Sequence, residues 1–163
     1  MASSCYFILT QTLRGGVDIG WAVNLQDQGF HGAALVRAYE LESIHAQYPR
    51  IVLGDYAFDY LKKIARQEPS SIYDQLNQQV ASICLELIVE DMDGRPIIHY
   101  LGNGFKESIT KSQHGKLYSL AFDFVNETLN ELRKSNDSKL MLRYHHLLEY
   151  FLEHKPADSA PFK

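Results

Sequence analysis

The sequence has little of what marks several large protein classes. Its 163 residues include only two cysteines, Cys5 and Cys84, which are too few for a disulfide framework and lack metal-ligand spacing. The longest apolar run near the start, residues 5–9, is far too short for a signal peptide or a membrane span. Basic residues are not in excess, since 16 stand against 20 acidic ones. That balance argues against binding nucleic acid through its phosphates. We therefore expect a cytoplasmic protein with no membrane span and no nucleic-acid partner.

What the chain does contain is typical of a folded α/β protein of about one domain. Hydrophobic residues make up 45% and charged residues 22%, which excludes a disordered or fibrous chain. No internal repeat or low-complexity segment is visible. The histidines, including the adjacent pair His145 and His146, do not have metal-ligand spacing. We therefore expect no metal site.

Hydrophobic periodicity predicts strands in the first two-thirds of the chain. Val17, Ile19 and Trp21 alternate with polar or small residues, which predicts a strand over residues 16–23 with these three side chains on a buried face. The apolar run 51–53 predicts a buried strand. Residues 84–90 and 96–101 predict a hairpin around the turn-forming segment 91–95.

Helical spacing predicts five helical segments between and after these strands. A helix over 31–47 ends before Pro49, and another begins with Asp55 as its N-cap and ends near residue 66. The remaining segments are a short polar helix over 72–79 and two C-terminal helices over 116–134 and 139–154. Segment 136–138 separates the last two and can cap the final helix. The aromatic residues of these two helices, Tyr118, Phe122, Phe124, Tyr144, Tyr150 and Phe151, are predicted to fill a core.

Two motifs in the first third of the chain occur in a fixed order. The first is the strand sequence Arg14-Gly15-Gly16-Val17-Asp18-Ile19-Gly20. The second opens at Phe30-His31-Gly32 and continues as a helix through Ala38, Leu41 and Glu42. Together with the later strand 51–53 and hairpin 84–101, they resemble the second half of the class III adenylyl/guanylyl cyclase catalytic domain.

This resemblance implies an architecture for the whole chain. Residues 1–104 are expected to form a partial nucleotidyl-cyclase-like sheet of the ferredoxin-like type, with helices packed on it. Residues 105–155 are expected to form a C-terminal helical extension, and residues 156–163 a tail. The front of the family's domain is missing, so the resemblance also leads us to expect a surface that a second chain or the C-terminal helices cover.

The residues that perform the family's chemistry do not carry over. The family's purine-selecting Asp falls at Ala33, its ribose-orienting Asn at Val36, and its phosphoryl-stabilising Arg at Glu40. The metal-binding aspartates belong to strands that precede the first motif, and none of the thirteen residues before Arg14 is acidic. A carboxylate in place of the guanidinium repels the transition state. We therefore expect no cyclase activity, no catalytic, cofactor or metal residues, and no nucleotide binding.

The resemblance thus implies a catalytically degenerate domain that acts as an interaction or regulatory module. Its expected partner is a second copy or another protein. The alternative is a subunit or fragment of a cyclase-like enzyme whose metal-binding half is on another chain or was lost by truncation. A small cyclase-like form of this kind would suit a bacterium.

Overall fold

A computed structural model describes residues 12–26, 29–103, 111–135 and 137–155. In this part of the chain, five helices combine with a four-stranded and a two-stranded sheet. The mixed α/β class and the two C-terminal helices are therefore confirmed. The described residues fall into two compact units, one over Arg14–Tyr100 and one that combines the residues before Arg14 with those from Leu101 onward. The predicted tail 156–163 and the predicted boundary after residue 104 lie outside the described residues.

The first unit is built on a short mixed sheet. Its strands are β1 (Gly15–Val17), β4 (Ile51–Leu53), β5 (Ile88–Glu90) and β6 (Pro96–Ile98), in the spatial order β1-β4-β6-β5. The β1 and β4 strands are parallel, and the other two pairings are antiparallel. The predicted hairpin and its place in one sheet with the first strand are confirmed, although each strand is shorter than predicted.

A separate two-stranded ribbon and three helices complete this unit. Strands β2 (Val23–Leu25) and β3 (Gly29–His31) form the ribbon, which leads into helix α1 (Ala33–Glu40). A π-helical turn, Leu41–His45, continues α1, so the chain is helical over 33–45 where the sequence predicts a helix over 31–47. Helices α2 (Asp55–Arg66) and α3 (Ile72–Glu86) then pack against each other.

The predicted strand over 16–23 is wrong in its extent and in its phase. The chain leaves the sheet after Val17, and Val17, Ile19 and Trp21 are exposed. The alternate positions face inward instead. A Cβ at Gly16 would overlap the Ala38 carbonyl oxygen and the Leu41 side chain, so only glycine permits α1 to lie this close to β1. The alternation has the period of a strand, but its inner face carries the small and polar residues.

The region before β5 also departs from the prediction. Cys84 belongs to α3, which continues to Glu86, so the strand begins at Ile88 and not at residue 84. The helix is held at its start by Ser71, whose hydroxyl accepts a hydrogen bond from the Asp74 backbone N–H at 3.2 Å. The helix therefore extends seven residues beyond the predicted end at residue 79.

The second unit consists of helices α4 (Lys111–Ser135) and α5 (Ser138–Glu153), which pack against each other. Asp137 caps α5 by accepting from the Leu140 N–H at 3.1 Å, as the sequence predicts. The buried side chains of the pair are large and mostly aromatic: Tyr118, Phe122, Val125, Leu129, Leu147, Tyr150 and Phe151. The predicted aromatic core is therefore confirmed for four of its six members, whereas Phe124 and Tyr144 are only half-buried.

Candidate functional site

The residues of the two sequence motifs come together where β1 meets α1. Arg14 at the start of the strand forms an ion pair with Glu42 in the π-helical turn. Gly16 lies against Ala38, as described above. Gly32 lies against the chain before the ribbon, because a Cβ there would overlap the Trp21 carbonyl oxygen. Gly16 and Gly32, one from each motif, therefore have a packing cause in this structure.

Asp18 is the polar centre of this region, and its side chain is only 2% exposed. Its carboxylate accepts hydrogen bonds from the Ala57 N–H at 2.9 Å and from Arg37 Nε at 2.7 Å. The first bond caps α2, because the Ala57 N–H is one of the free donors in that helix's first turn. The predicted N-cap, Asp55, is instead the first residue of the helix, and no side chain caps it from the N-cap position.

Arg37 makes two hydrogen bonds and one ring contact in this arrangement. Besides its bond to Asp18, its Nη2 donates to the Ile19 carbonyl oxygen at 2.5 Å, and its guanidinium lies 4.3 Å from the centre of the Tyr56 ring. Asp18 and Arg37 thus connect the chain after β1 with α1 and α2. Sequence reasoning missed this pair; the signal was an acidic residue between two β-branched residues of an otherwise apolar strand.

Around this centre the molecule exposes a large amount of apolar surface. The ribbon residues are exposed on both faces, and α1 has no fully buried residue. We call the following set the hairpin–helix surface: Trp21, Val23, Leu25, Phe30, Leu35, Val36 and Tyr39. Trp21, Phe30 and Tyr39 are each about two-thirds exposed, at 67%, 67% and 70%. Val23 and Leu25 lie on one face of the ribbon and Phe30 on the other, because Phe30 pairs with Asn24. Exposed apolar side chains in this number mark binding sites more often than they mark ordinary solvent-facing surface.

The three positions to which the resemblance assigns chemistry lie on α1 beside this surface. Val36 and Glu40 are exposed, and Ala33 is half-buried. None of the three side chains offers a donor for a phosphate or an amide for a ribose. Within the described ranges, no group of three or more His, Cys, Asp or Glu side chains is arranged to hold a metal ion.

A second charged cluster lies at the opposite edge of the same sheet. Arg50 is 4% exposed and donates to Asp91 and to both carboxylate oxygens of Asp93, at 3.0 and 2.6 Å for the latter. Its Nη2 also donates to the His45 carbonyl oxygen at 2.7 Å. The Tyr48 hydroxyl donates to Asp91 as well.

These contacts shift two pKa values in opposite directions. Burial and the hydrogen bond to Asp91 raise the pKa of the Tyr48 hydroxyl well above its usual range. The hydrogen bonds from Arg50 lower the pKa of the Asp93 carboxyl. Both terminal nitrogens of Arg50 are occupied, so the cluster fixes the 91–95 turn. The buried Arg50 Nε has no hydrogen-bond partner among the described residues.

In comparisons with known proteins, no family model, curated protein or solved structure matches the chain. The described helices include none that combines the length and the apolar character needed to cross a membrane. The hairpin–helix surface, with Asp18 and Arg37 beneath it, is therefore the candidate site on its geometry alone.

Proposed function

We propose that this protein is a non-catalytic binding module, built like the second half of a nucleotidyl cyclase domain, whose hairpin–helix surface binds a protein in the cytoplasm. The observation that carries the proposal is the chemistry of α1. Where a cyclase would present groups for purine, ribose and phosphoryl, this helix presents Ala33, Val36 and Glu40, beside the exposed Leu35 and Tyr39. The surface has the composition of a protein interface and lacks the donors of a nucleotide site.

The charge distribution supports a protein partner over a nucleotide or a nucleic acid. Arg37 is the one basic residue of α1, and its Nε and Nη2 already donate to Asp18 and to the Ile19 carbonyl oxygen. Glu40, also on α1, is exposed and would repel phosphate. An anionic ligand at this helix would therefore meet a guanidinium whose charge Asp18 already pairs, beside a carboxylate that repels the ligand.

The low expected stability of the β2–β3 ribbon also supports a protein partner. An isolated two-stranded ribbon is at best marginally stable in water. Here both faces of β2 and β3 are exposed, including Val23, Leu25 and Phe30. Burying such side chains stabilises by roughly 1.5–3 kcal/mol each. A second copy of the chain or another protein that covers the ribbon would supply that stabilisation.

The first test measures catalysis. The full-length protein, incubated with ATP or GTP and Mn²⁺, is expected to form no cyclic nucleotide above a buffer blank. Product that disappears on substitution of residues 33–40 would contradict the proposal. That outcome would favour the alternative, in which this chain is part of a cyclase-like enzyme whose metal-binding half is elsewhere.

The second test uses Trp21, which is the only tryptophan of the chain. Its emission is expected to shift to the blue as the protein concentration rises. If the surface stays uncovered, a hydrophobic dye is expected to bind to it instead. Val36→Glu should abolish the shift and weaken the dye binding, whereas Leu142→Glu, at an exposed leucine of α5, should leave both unchanged. Wild-type protein with neither signal would contradict binding at the hairpin–helix surface.

A further inference from the structure

Helix α3 carries its apolar side chains on the outside. Tyr73, Leu76, Val80 and Ile83 are between 50% and 75% exposed, and we call these four residues the α3 stripe. Ile72, beside the stripe, is 72% exposed. A helix on the surface of a globular protein normally turns such a stripe toward the core.

The opposite side of α3 explains why the stripe faces outward. Ala81 is 3% exposed, and its small side chain allows α2 and α3 to approach closely. Gln78 donates from Nε2 to the carbonyl oxygens of Ala65 and Gln67, at 3.2 and 3.1 Å, where α2 ends. These bonds satisfy terminal carbonyls that the helix itself leaves free. Rotating α3 to bury the stripe would break them.

The stripe has the spacing of a helix-pairing seam. Its residues follow each other at intervals of three, four and three. This alternation places side chains at the a and d positions of a heptad, which interlock with a second helix of the same pattern. The α3 stripe thus has the pattern of a surface that pairs with a second helix, and no helix in the described part of the chain covers it.

The exposed area is sufficient for a weak, specific dimer. Side chains of this size that are half to three-quarters exposed offer roughly 100 Å² each. With Ile72 and the flanking polar atoms, two copies would bury on the order of 1,000 Å², the lower limit for a specific interface. A reversible dimer is expected from such an area.

The residues that border the stripe favour a second copy as the occupant. Asn77 and Gln79 lie on its two sides near the middle. Consider an antiparallel pair whose two-fold axis crosses the seam at the level of residue 78. In such a pair Asn77 lies close to the Asn77 of the second copy, and Gln79 lies close to the Gln79 of the second copy. An amide both donates and accepts, so it can bond to a copy of itself, whereas a charged side chain would repel its copy.

We propose that two copies of this protein associate through the α3 stripe as an antiparallel helix pair. In this pair Tyr73 lies opposite the partner's Ile83, and Leu76 lies opposite the partner's Val80. Antiparallel alignment also brings opposite ends of the two helix dipoles together. The surface is separate from the hairpin–helix surface, so the two proposals can fail independently.

Cysteine cross-linking tests the pair and its direction. In a Cys5→Ser/Cys84→Ser background, Tyr73→Cys protein mixed with Ile83→Cys protein should form a mixed disulfide under mild oxidation. Either variant alone should not, because residues 73 and 83 are about 15 Å apart along the helix. A parallel pair would reverse this result and overturn the proposed direction. Gln75→Cys, exposed on the same helix but off the seam, should form no disulfide in either case.

Light scattering tests whether the stripe causes association. Val80→Glu is expected to weaken dimerisation at least tenfold, whereas Gln75→Glu, with a matched charge on the same helix, should leave it unchanged. Circular dichroism should show both variants folded, since both positions are exposed. Wild-type protein that stays monomeric at all concentrations would overturn the proposal. Thiol labelling of the Ile83→Cys variant would then show whether another part of the same chain covers the stripe or whether it is bare.

Discussion

Each of the two units of this protein is stabilised internally by a different kind of contact. The unit over Arg14–Tyr100 has charged pairs at both edges of its sheet, Asp18 with Arg37 and Arg50 with two aspartates, and it exposes much of its apolar surface. The helix pair α4–α5 buries its largest apolar side chains and forms its buried contacts from aromatic rings. An apolar stripe in a sequence therefore marks a surface that contacts something, but the stripe alone does not tell whether the contact is internal.

The helix pairs α2–α3 and α4–α5 show this difference most directly. In α4–α5 the Tyr118, Phe122 and Phe151 rings lie within 5.5–6.5 Å of one another, measured between ring centres. In α2–α3 the contact uses Ala81 and the Gln78 amide, and the large apolar residues face outward. The first pair is complete within the chain, whereas the second leaves a seam for another helix.

The largest expected effect comes from removing an aromatic ring from the complete pair. Phe122→Ala should lower the free energy of unfolding by about 3–5 kcal/mol, because it leaves a cavity among the Tyr118 and Phe151 rings. Leu142→Ala, at a residue of the same pair that is 59% exposed, should change it by less than about 0.5 kcal/mol. Urea denaturation followed by circular dichroism measures both, and equal losses would contradict the aromatic core.

A smaller effect is expected from the charged centre of the first unit. Asp18→Ala should destabilise by about 2 kcal/mol, since the Ala57 N–H loses its cap and Arg37 its buried partner. Asp55→Ala removes only a first-turn carboxylate without a capping bond and should lose about 0.3–1 kcal/mol. Thermal unfolding of the two variants side by side would reveal the true cap of α2. A larger loss for Asp55→Ala would show that the assignment to Asp18 is wrong.

The smallest expected effect concerns a single hydroxyl in the aromatic pair. The Tyr118 Oη donates to the Phe151 carbonyl oxygen at 2.5 Å, and burial raises the pKa of Tyr118 to about 12. Because this pKa is higher folded than unfolded, the hydroxyl's contribution is complete below pH 10 and is lost as the pH rises toward 12. Tyr118→Phe should cost about 1 kcal/mol at neutral pH and reduce the loss of stability between pH 10 and 12. An unchanged alkaline titration in that variant would contradict the assignment.

Sequence patterns predicted whether a segment is a helix or a strand better than they predicted which of its faces is buried and what that face contacts. Alternation around Val17 and Ile19 predicts an extended chain but cannot tell which alternate set is buried, because both phases have the same period. Here the decisive residue is Asp18, whose role depends on a helix start almost forty residues later. Local pattern carries no information about such a contact.

The same reason explains the errors around α3. Residues 84–86 have a composition that suits a strand or a helix, and the packing of Ala81 and Gln78 on α2 decides for the helix. The sequence led us to expect a binding partner but not the residues of the hairpin–helix surface. Which side chains are exposed is decided only when the chain folds. Turn chemistry was more informative: the 91–95 turn and the Asp137 cap follow from their own residues.

Because of Arg50, we expect the first unit to tolerate inserted residues at one connection but not the deletion of another. Its bonds to Asp91 and Asp93 close a loop of more than forty residues that includes α2 and α3. The entropy of closing such a loop grows slowly, by only about 0.6 kcal/mol for each doubling of its length. Extra residues in the exposed 67–70 connection would therefore cost the fold little. Removing the 91–95 turn would instead leave a buried guanidinium without its anions, so the unit cannot be shortened past this hairpin and still fold.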